Sequence, residues 1–170
     1  MTKHVVVIGA GVVGLCVAHY CLQRGWRVTV IERDGEARDG CSFGNAGMIV
    51  PSHFTPLAAP GAVALALRWM LDPASPFYVK PRASWDLVAW GLRFRKAATA
   101  AHVARAAPLL RDLNLASRAC HEDLAREHGL EVARTGTLML CRTRHALDDE
   151  ARTAEHAQML GMRAEVLDAQ

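Results

Sequence analysis

The stretch VVVIGAGVVG at residues 5–14 constrains this chain more than any other. Val5 to Ile8 is a β-branched run with no polar break, which suits a strand buried on both faces, as in a parallel sheet. Gly9, Gly11 and Gly14 follow with the spacing G-x-G-x-x-G. A helical pattern then runs from about Val13 to Arg24, and Gly25 is placed to end it in a left-handed conformation. A second β-branched run, Val28 to Ile31, closes at Glu32. The whole is a strand–turn–helix–strand unit of about thirty residues.

Each part of this pattern has a physical reason. Gly9 permits the tight turn out of the first strand, Gly11 lets a pyrophosphate approach the backbone, and Gly14 lets the helix pack close to the sheet. The helix start, with Ala10, Val12 and Val13 between the glycines, offers free N–H groups and a positive dipole to an anion. Seventeen residues separate Gly14 from Glu32, which sets a carboxylate at the end of the second strand. There it can accept hydrogen bonds from the ribose hydroxyls of an adenosine. A glycine turn used for packing alone explains Gly14 but not Gly9, Gly11 and Glu32 together. The acid disfavours a 2′-phosphate, although Arg33 and Arg38 keep positive charge nearby. The fingerprint by itself does not separate FAD from NAD. The segment after it does bear on the choice: a second βα unit is missing, and a Gly-rich stretch, SFGNAGMIVPSHF at residues 42–54, leads into helices instead. That layout suits a flavin enzyme with a substrate domain inserted into its nucleotide domain.

Downstream, Gly35, Gly40, Gly44, Gly47, Pro51, Pro56 and Pro60 break any long element. The pattern predicts helices over 61–71 and 85–98, the second capped by Ser84. Pro108 suits a first-turn position, so a third helix is expected from there to Gly129, with Leu109, Leu113, Ala116, Cys120 and Leu124 as its packing stripe. Residues 131–133 and 137–141 flank Arg134-Thr135-Gly136 and read as a hairpin. Thr143 is placed to cap a last helix over 145–160, and 163–167 reads as a further strand or extended tail. The division expected is a nucleotide-binding βαβ unit with its cofactor-contact loop over 1–60, then a helical segment and the beginning of a substrate domain over 61–170.

Composition excludes several classes. With 51% hydrophobic and 22% charged residues the chain is globular, and its net charge of +3 comes from scattered arginines with no basic stripe for nucleic acid. The eight histidines show no metal-ligand spacing, so no metal is expected. Five cysteines without a CxxC pair, and a strand that starts directly after Thr2-Lys3-His4, point to reduced thiols in the cytoplasm and to no secretory leader. Cys41 reads as a small packing residue, and His53 as a surface or packing residue that a substrate-contact role would make more interesting. Trp69, Trp85 and Trp90 read first as packing residues. Arg93, Arg95, Lys96 and Arg105 read first as a solvated helix side, with contact to an anionic membrane surface left open.

These residues together resemble a known family. VVVIGAGVVGLCVAHYCLQRGWRVTVIERD, GNAGMIVPSHFTPLAAPG, LRWMLDP and GTLMLCRT are similar to segments of the FAD-dependent D-amino-acid dehydrogenases, small-subunit type, within the D-amino-acid oxidase-like superfamily. The block around Asn45-Ala46-Gly47 and its prolines is the specific part, because the glycine turn is shared far more widely. The resemblance covers most of this chain and only the N-terminal part of the family. It implies an α/β fold, a Rossmann-like FAD-binding βαβ unit with the start of an inserted α+β substrate domain. It also implies non-covalent FAD and oxidation of a D-amino acid to an imino acid that water converts to a 2-oxo acid, with electrons passed to a respiratory acceptor. By position, Gly9, Gly11, Gly14 and Glu32 would hold the ADP half. Ser42 and the backbone of Asn45, Ala46, Gly47 and Met48 would pass near the pyrophosphate and the flavin. Fixed backbone dipoles there suit the negative charge of a reduced flavin. Relatives that degrade hydroxyproline share the GNAGMIVPSHF wording, so a D-proline-like substrate is a live option. The Arg that would bind the substrate carboxylate has no assignable position, and no catalytic residue is assigned.

Two secure parallel strands are few for a sheet that needs both faces covered. An incomplete fold is therefore expected, one that alone binds FAD poorly and turns over nothing. Three readings stay open: the dehydrogenase, an NAD-binding dehydrogenase, and a non-catalytic nucleotide-binding subunit completed by a companion chain. Contact with a membrane or a quinone-type acceptor stays open with the first.

Overall fold

In a computed structural model of the chain, which describes residues 2–35, 40–72, 74–75, 78–80 and 82–167, the two β-branched runs pair in parallel. β1 (His4–Ile8) lies beside β2 (Arg27–Ile31), with Val5 opposite Val28 and Val7 opposite Val30. The crossover is α1 (Val12–Gln23), whose C-terminal turn closes through Gly25 at φ 72°. The chain divides into two units, Met1–Met48 and Ile49–Gln170. The first holds this mixed α/β element.

Side chains alternate across a strand, so only one face of the pair meets α1. Val7 points to it and is 8% exposed, and Ala18 of α1 is buried with it. The other face is open: Ile8 is 86% exposed, and Val6 and Ile31 are also exposed. At its edge His4 contacts Thr29 Oγ1 at 2.9 Å and Arg27 at 3.3 Å. The expectation of strands buried on both faces is therefore not met among the described residues. One helix supplies one covering layer, and the second face has none among the described residues of this unit.

The second unit begins with Ile49 and contains α2 (Ala62–Met70), α3 (Trp85–Ala97), α4 (Ala100–His128) and α5 (Arg144–Met159). Three of the four start at hydroxyl caps: Ser84, Thr99 and Thr143 accept from the N–H groups of Leu87, His102 and Ala146. α4 starts well before Pro108, which sits inside the helix, not at its first turn. The Thr99 cap sets the start, and the proline removes a single donor from the interior. Gly129 ends α4 in the left-handed region at φ 66°.

The core of this unit gathers around Phe54, Ala107 and Ala157, with Leu110, Leu160, Met162 and Ala164 packed against them. Phe54 is completely buried and meets the His156 ring edge-on at 5.2 Å. Arg111 donates to the Leu160 carbonyl at 2.7 Å and Asn114 to the His53 carbonyl at 3.0 Å. These contacts place the packing face of α4 on Ala107, Leu110, Arg111 and Asn114. The expected stripe fails at four of its five positions, since Leu109, Leu113, Ala116 and Cys120 are exposed and only Leu124 is half-buried. The small Ala107 side chain lets an aromatic ring lie against the helix, which a leucine there would prevent.

The break between units falls after Met48, whereas composition placed a division after Pro60. Phe54 supplies the reason: residues ahead of Pro60 are anchored in the second unit's core. The expected hairpin over 131–141 is not formed. The only ladder among the described residues joins β1 and β2, although Gly136 does take a turn conformation at φ 77°. Leu138, Met139 and Leu140 are exposed, so no apolar face holds the two arms together. Residues 163–167 join no ladder. All five cysteines are free, and no helix among the described residues is long and apolar enough to cross a membrane.

Candidate functional site

The turn between β1 and α1 is built from backbone. Gly9 adopts φ 99°, a region that other residues rarely enter, and its N–H donates to the Ile31 carbonyl at 2.7 Å. Gly11 is the residue before the first helical turn. Gly14 faces the sheet, where a Cβ would collide with the Gly9 carbonyl oxygen and lie 3.3 Å from Val7 Cγ1. The close approach of α1 to β1 thus depends on Gly14 having no side chain.

Two side chains from later segments arrive at this turn. Glu32 Oε2 accepts from the Ala10 N–H, while its Oε1 accepts from the N–H groups of Arg33 at 2.7 Å and Asp34 at 3.2 Å. These backbone bonds, Ala10 first, hold the exposed carboxyl below the ordinary glutamate range, so it is ionised at neutral pH. Ser42 Oγ accepts from the Val12 N–H at 2.9 Å, and a Cβ on Gly11 would stand 3.3 Å from that hydroxyl. Arg33 turns to Asp34, with a 3.3 Å ion pair between them. Arg38 lies outside the described residues.

The chemistry of this set can be read directly. The first N–H groups of a helix have no acceptor within it. Val12 is satisfied by Ser42, and the N–H groups of Gly11, Val13 and Gly14 have no partner supplied by the helix itself. Val12 and Val13 are exposed, so the helix start is open to solvent. A hydroxyl that accepts from an N–H retains its own proton to donate. Convergent donors of this kind suit phosphate oxygens. A carboxylate accepts about four hydrogen bonds and Glu32 takes three from the backbone, which leaves Oε2 one site for a hydroxyl donor. The residues present therefore fit the ADP half of a dinucleotide.

The structure brings Gly9, Ala10, Gly11, Val12, Val13, Gly14, Glu32, Arg33 and Ser42 together. Asn45, Ala46, Gly47 and Met48 follow Ser42 on an exposed loop. There Asn45 Oδ1 accepts from the Gly47 N–H at 2.9 Å, and Gly44 and Gly47 have φ of 73° and 66°. This local turn takes up the Gly47 donor. His53 lies in the second unit, where its carbonyl serves Asn114. Cys41 is exposed. Trp85 and Trp90 stand on the surface, Trp90 stacked on Phe94 at 5.3 Å. Sequence reasoning missed the anchoring of Phe54 and the bond from Val12 to Ser42, neither of which leaves a local pattern.

A parallel βαβ unit with phosphate-type donors at the turn and an acid at the next strand end defines a dinucleotide-binding element. The chain belongs to the FAD dependent oxidoreductase family, whose profile matches residues 4–170. It is 38% identical over 167 residues to a D-amino acid dehydrogenase of Cereibacter sphaeroides, an alignment that covers 97% of this chain and 38% of that protein. The D-amino acid dehydrogenases of Granulibacter bethesdensis and Phenylobacterium zucineum are each 36% identical over 167 residues, with 96% of this chain and 40% and 39% of those proteins covered. The chain thus spans about two fifths of the length of these curated relatives. No solved structure matches it significantly.

Proposed function

We propose that this chain is the FAD-binding part, with the start of the substrate domain, of a dehydrogenase that oxidises D-amino acids. The observation that carries this reading is the joint arrival of Glu32 and Ser42 at the glycine turn, an acceptor for ribose beside donors for pyrophosphate. Bound FAD supplies a two-electron acceptor for the hydride on the substrate Cα. The chain's own residues hold it: Gly11, Val13, Gly14 and the Ser42 hydroxyl meet the phosphates, and Glu32 orients the adenosine ribose. The loop over Asn45–Met48 carries the backbone toward the flavin end. The segment from residue 61 opens the substrate domain. The imino acid formed is hydrolysed to a 2-oxo acid and ammonia, or to the open-chain acid when the substrate is a cyclic amine.

The GNAGMIVPSHF block favours a D-proline or hydroxy-D-proline type of substrate, and the electrons pass to a respiratory acceptor. Work at the inner face of the cell membrane, from the cytoplasm, agrees with that acceptor. The open face of the β1–β2 pair, with Val6 and Ile8 exposed, supports further polypeptide covering it in the working enzyme. Equilibrium titration with FAD, ADP and NAD, followed by flavin and tryptophan fluorescence, tests the cofactor. Dye reduction with D-proline, D-alanine and their L-forms tests the reaction. Residues 1–170 are expected to bind FAD weakly, in preference to NAD, and to turn over nothing alone. Preference for NAD refutes the cofactor assignment, and turnover by these residues alone refutes the division of labour.

A further inference from the structure

The glycine turn is tied to the end of β2 by consecutive residues. Gly9 donates to the Ile31 carbonyl and Ala10 to the Glu32 carboxylate. The carboxylate is in turn fixed by the Arg33 and Asp34 N–H groups on its other oxygen. It does not sit on a freely rotating side chain waiting for a ligand. Three backbone donors hold it, one of them from a segment 22 residues away. Each carboxylate oxygen has about two acceptor sites. Oε1 is filled, and Oε2 has one taken by Ala10 and one open.

We infer that Glu32 is a positioning residue for the glycine turn in addition to an acceptor for the nucleotide, with a single oxygen, Oε2, serving both. The part of this inference that concerns nucleotide rests on the proposed function, while the part that concerns the turn stands without any ligand. Loss of the carboxylate then does two separable things. It removes the ribose acceptor, and it frees the peptide at Ala10, so that the turn leading to the Gly11 donor loses its fixed orientation against the start of α1. A residue that only binds ribose would do the first alone.

The first measurement uses the chain without nucleotide. Amide hydrogen exchange at Ala10, followed by NMR, is expected to quicken about tenfold in Glu32→Ala, the low end for loss of a charge-assisted hydrogen bond at an exposed site. Amides in the middle of α1 should be unchanged, which shows that the unit remains folded. Glu32→Ser, short and polar, should behave the same way and stands in if the alanine variant fails to fold. Unchanged Ala10 exchange in either folded variant overturns the inference. The second measurement compares ADP with 2′,3′-dideoxy-ADP. A ribose-only role makes the substitution harmless toward the dideoxy nucleotide. The positioning role leaves a loss of about threefold or more in its affinity, on the scale of one weakened backbone contact. If the unsubstituted chain binds neither nucleotide, the proposed function fails, and Ala10 exchange still decides the positioning role.

Discussion

Gly14 and Gly91 both lie inside helices, and alanine should act on them in opposite directions. Alanine favours a helix interior over glycine by about 1 kcal/mol, so propensity alone predicts stabilisation at both. At Gly91, in α3, an added Cβ meets nothing within 4 Å. Only propensity acts there. At Gly14 the Cβ would overlap the Gly9 carbonyl oxygen, far inside the 3.0 Å that real Cβ contacts respect, and would stand 3.1 Å from the Gly9 carbonyl carbon and 3.3 Å from Val7 Cγ1. The obstacle is backbone in a turn that is itself bonded to Ile31, so it does not swing aside as a side chain would. Relief needs α1 to retreat from β1 on the order of 1 Å, which opens the contact around Val7 and Ala18. Overpacking of this kind costs about 1–3 kcal/mol, and against rigid backbone the upper part of that range applies. After the helix gain is subtracted, Gly14→Ala should destabilise by about 1–2 kcal/mol. Native-state hydrogen exchange reads each helix separately. Amides of α1 should exchange about 5- to 30-fold faster in Gly14→Ala, and those of α3 about fivefold slower in Gly91→Ala. Equal slowing at both positions would show that α1 does not approach β1 as closely as the structure has it, and the reasoning from the third fingerprint glycine would be refuted.

Other expectations follow from the same contacts. Ser42→Ala should quicken exchange of the Val12 amide and loosen the start of α1 by about 0.5–1 kcal/mol, as loss of an exposed cap does; no change would mean that the Ser42 hydroxyl is not its acceptor. Phe54→Ala removes a completely buried ring and should destabilise the second unit by about 3–5 kcal/mol in urea unfolding followed by circular dichroism, with Phe54→Leu milder. Because the Glu32 carboxyl is depressed in the folded chain, its contribution is fully present above the unfolded-state value and fades as pH falls through the folded one. Ala10 exchange, corrected for its intrinsic pH dependence, should therefore lose protection only in acid, below the ordinary glutamate range. The same profile in Glu32→Ala should be flat.

What was legible in the sequence was whatever a few neighbouring residues determine. Unbroken β-branched runs gave β1 and β2 to within a residue, and Ser84 and Thr143 announced α3 and α5 because a cap acts on an N–H three residues away. Pro108 misled for the same reason. A proline rule read locally puts a helix start there, but the Thr99 cap lies earlier and α4 continues through the proline. The unformed hairpin shows the limit from the other side. Alternation and Gly136 specify a turn, yet a ladder needs an apolar face to cover, and Leu138 to Leu140 find none. Phe54 was invisible because its partners, Ala107 and Ala157, are distant in sequence and small.

The candidate site divides along that same line. Gly9 and Gly14 are local requirements, set by a turn and by helix–strand contact, and both are plain in the G-x-G-x-x-G spacing. Glu32 was readable as an acid at the right distance, but its bond to Ala10 was not, and Ser42 reaches Val12 across 30 residues of chain. The fingerprint explains why the backbone can come close to a ligand. It does not explain what keeps the donors aimed before the ligand arrives. In this chain two side chains do that, one from the end of β2 and one from the loop beyond it. An open glycine turn without them would have to be ordered by the nucleotide itself, at a cost in affinity of the backbone entropy of the turn, about 1–2 kcal/mol per residue fixed.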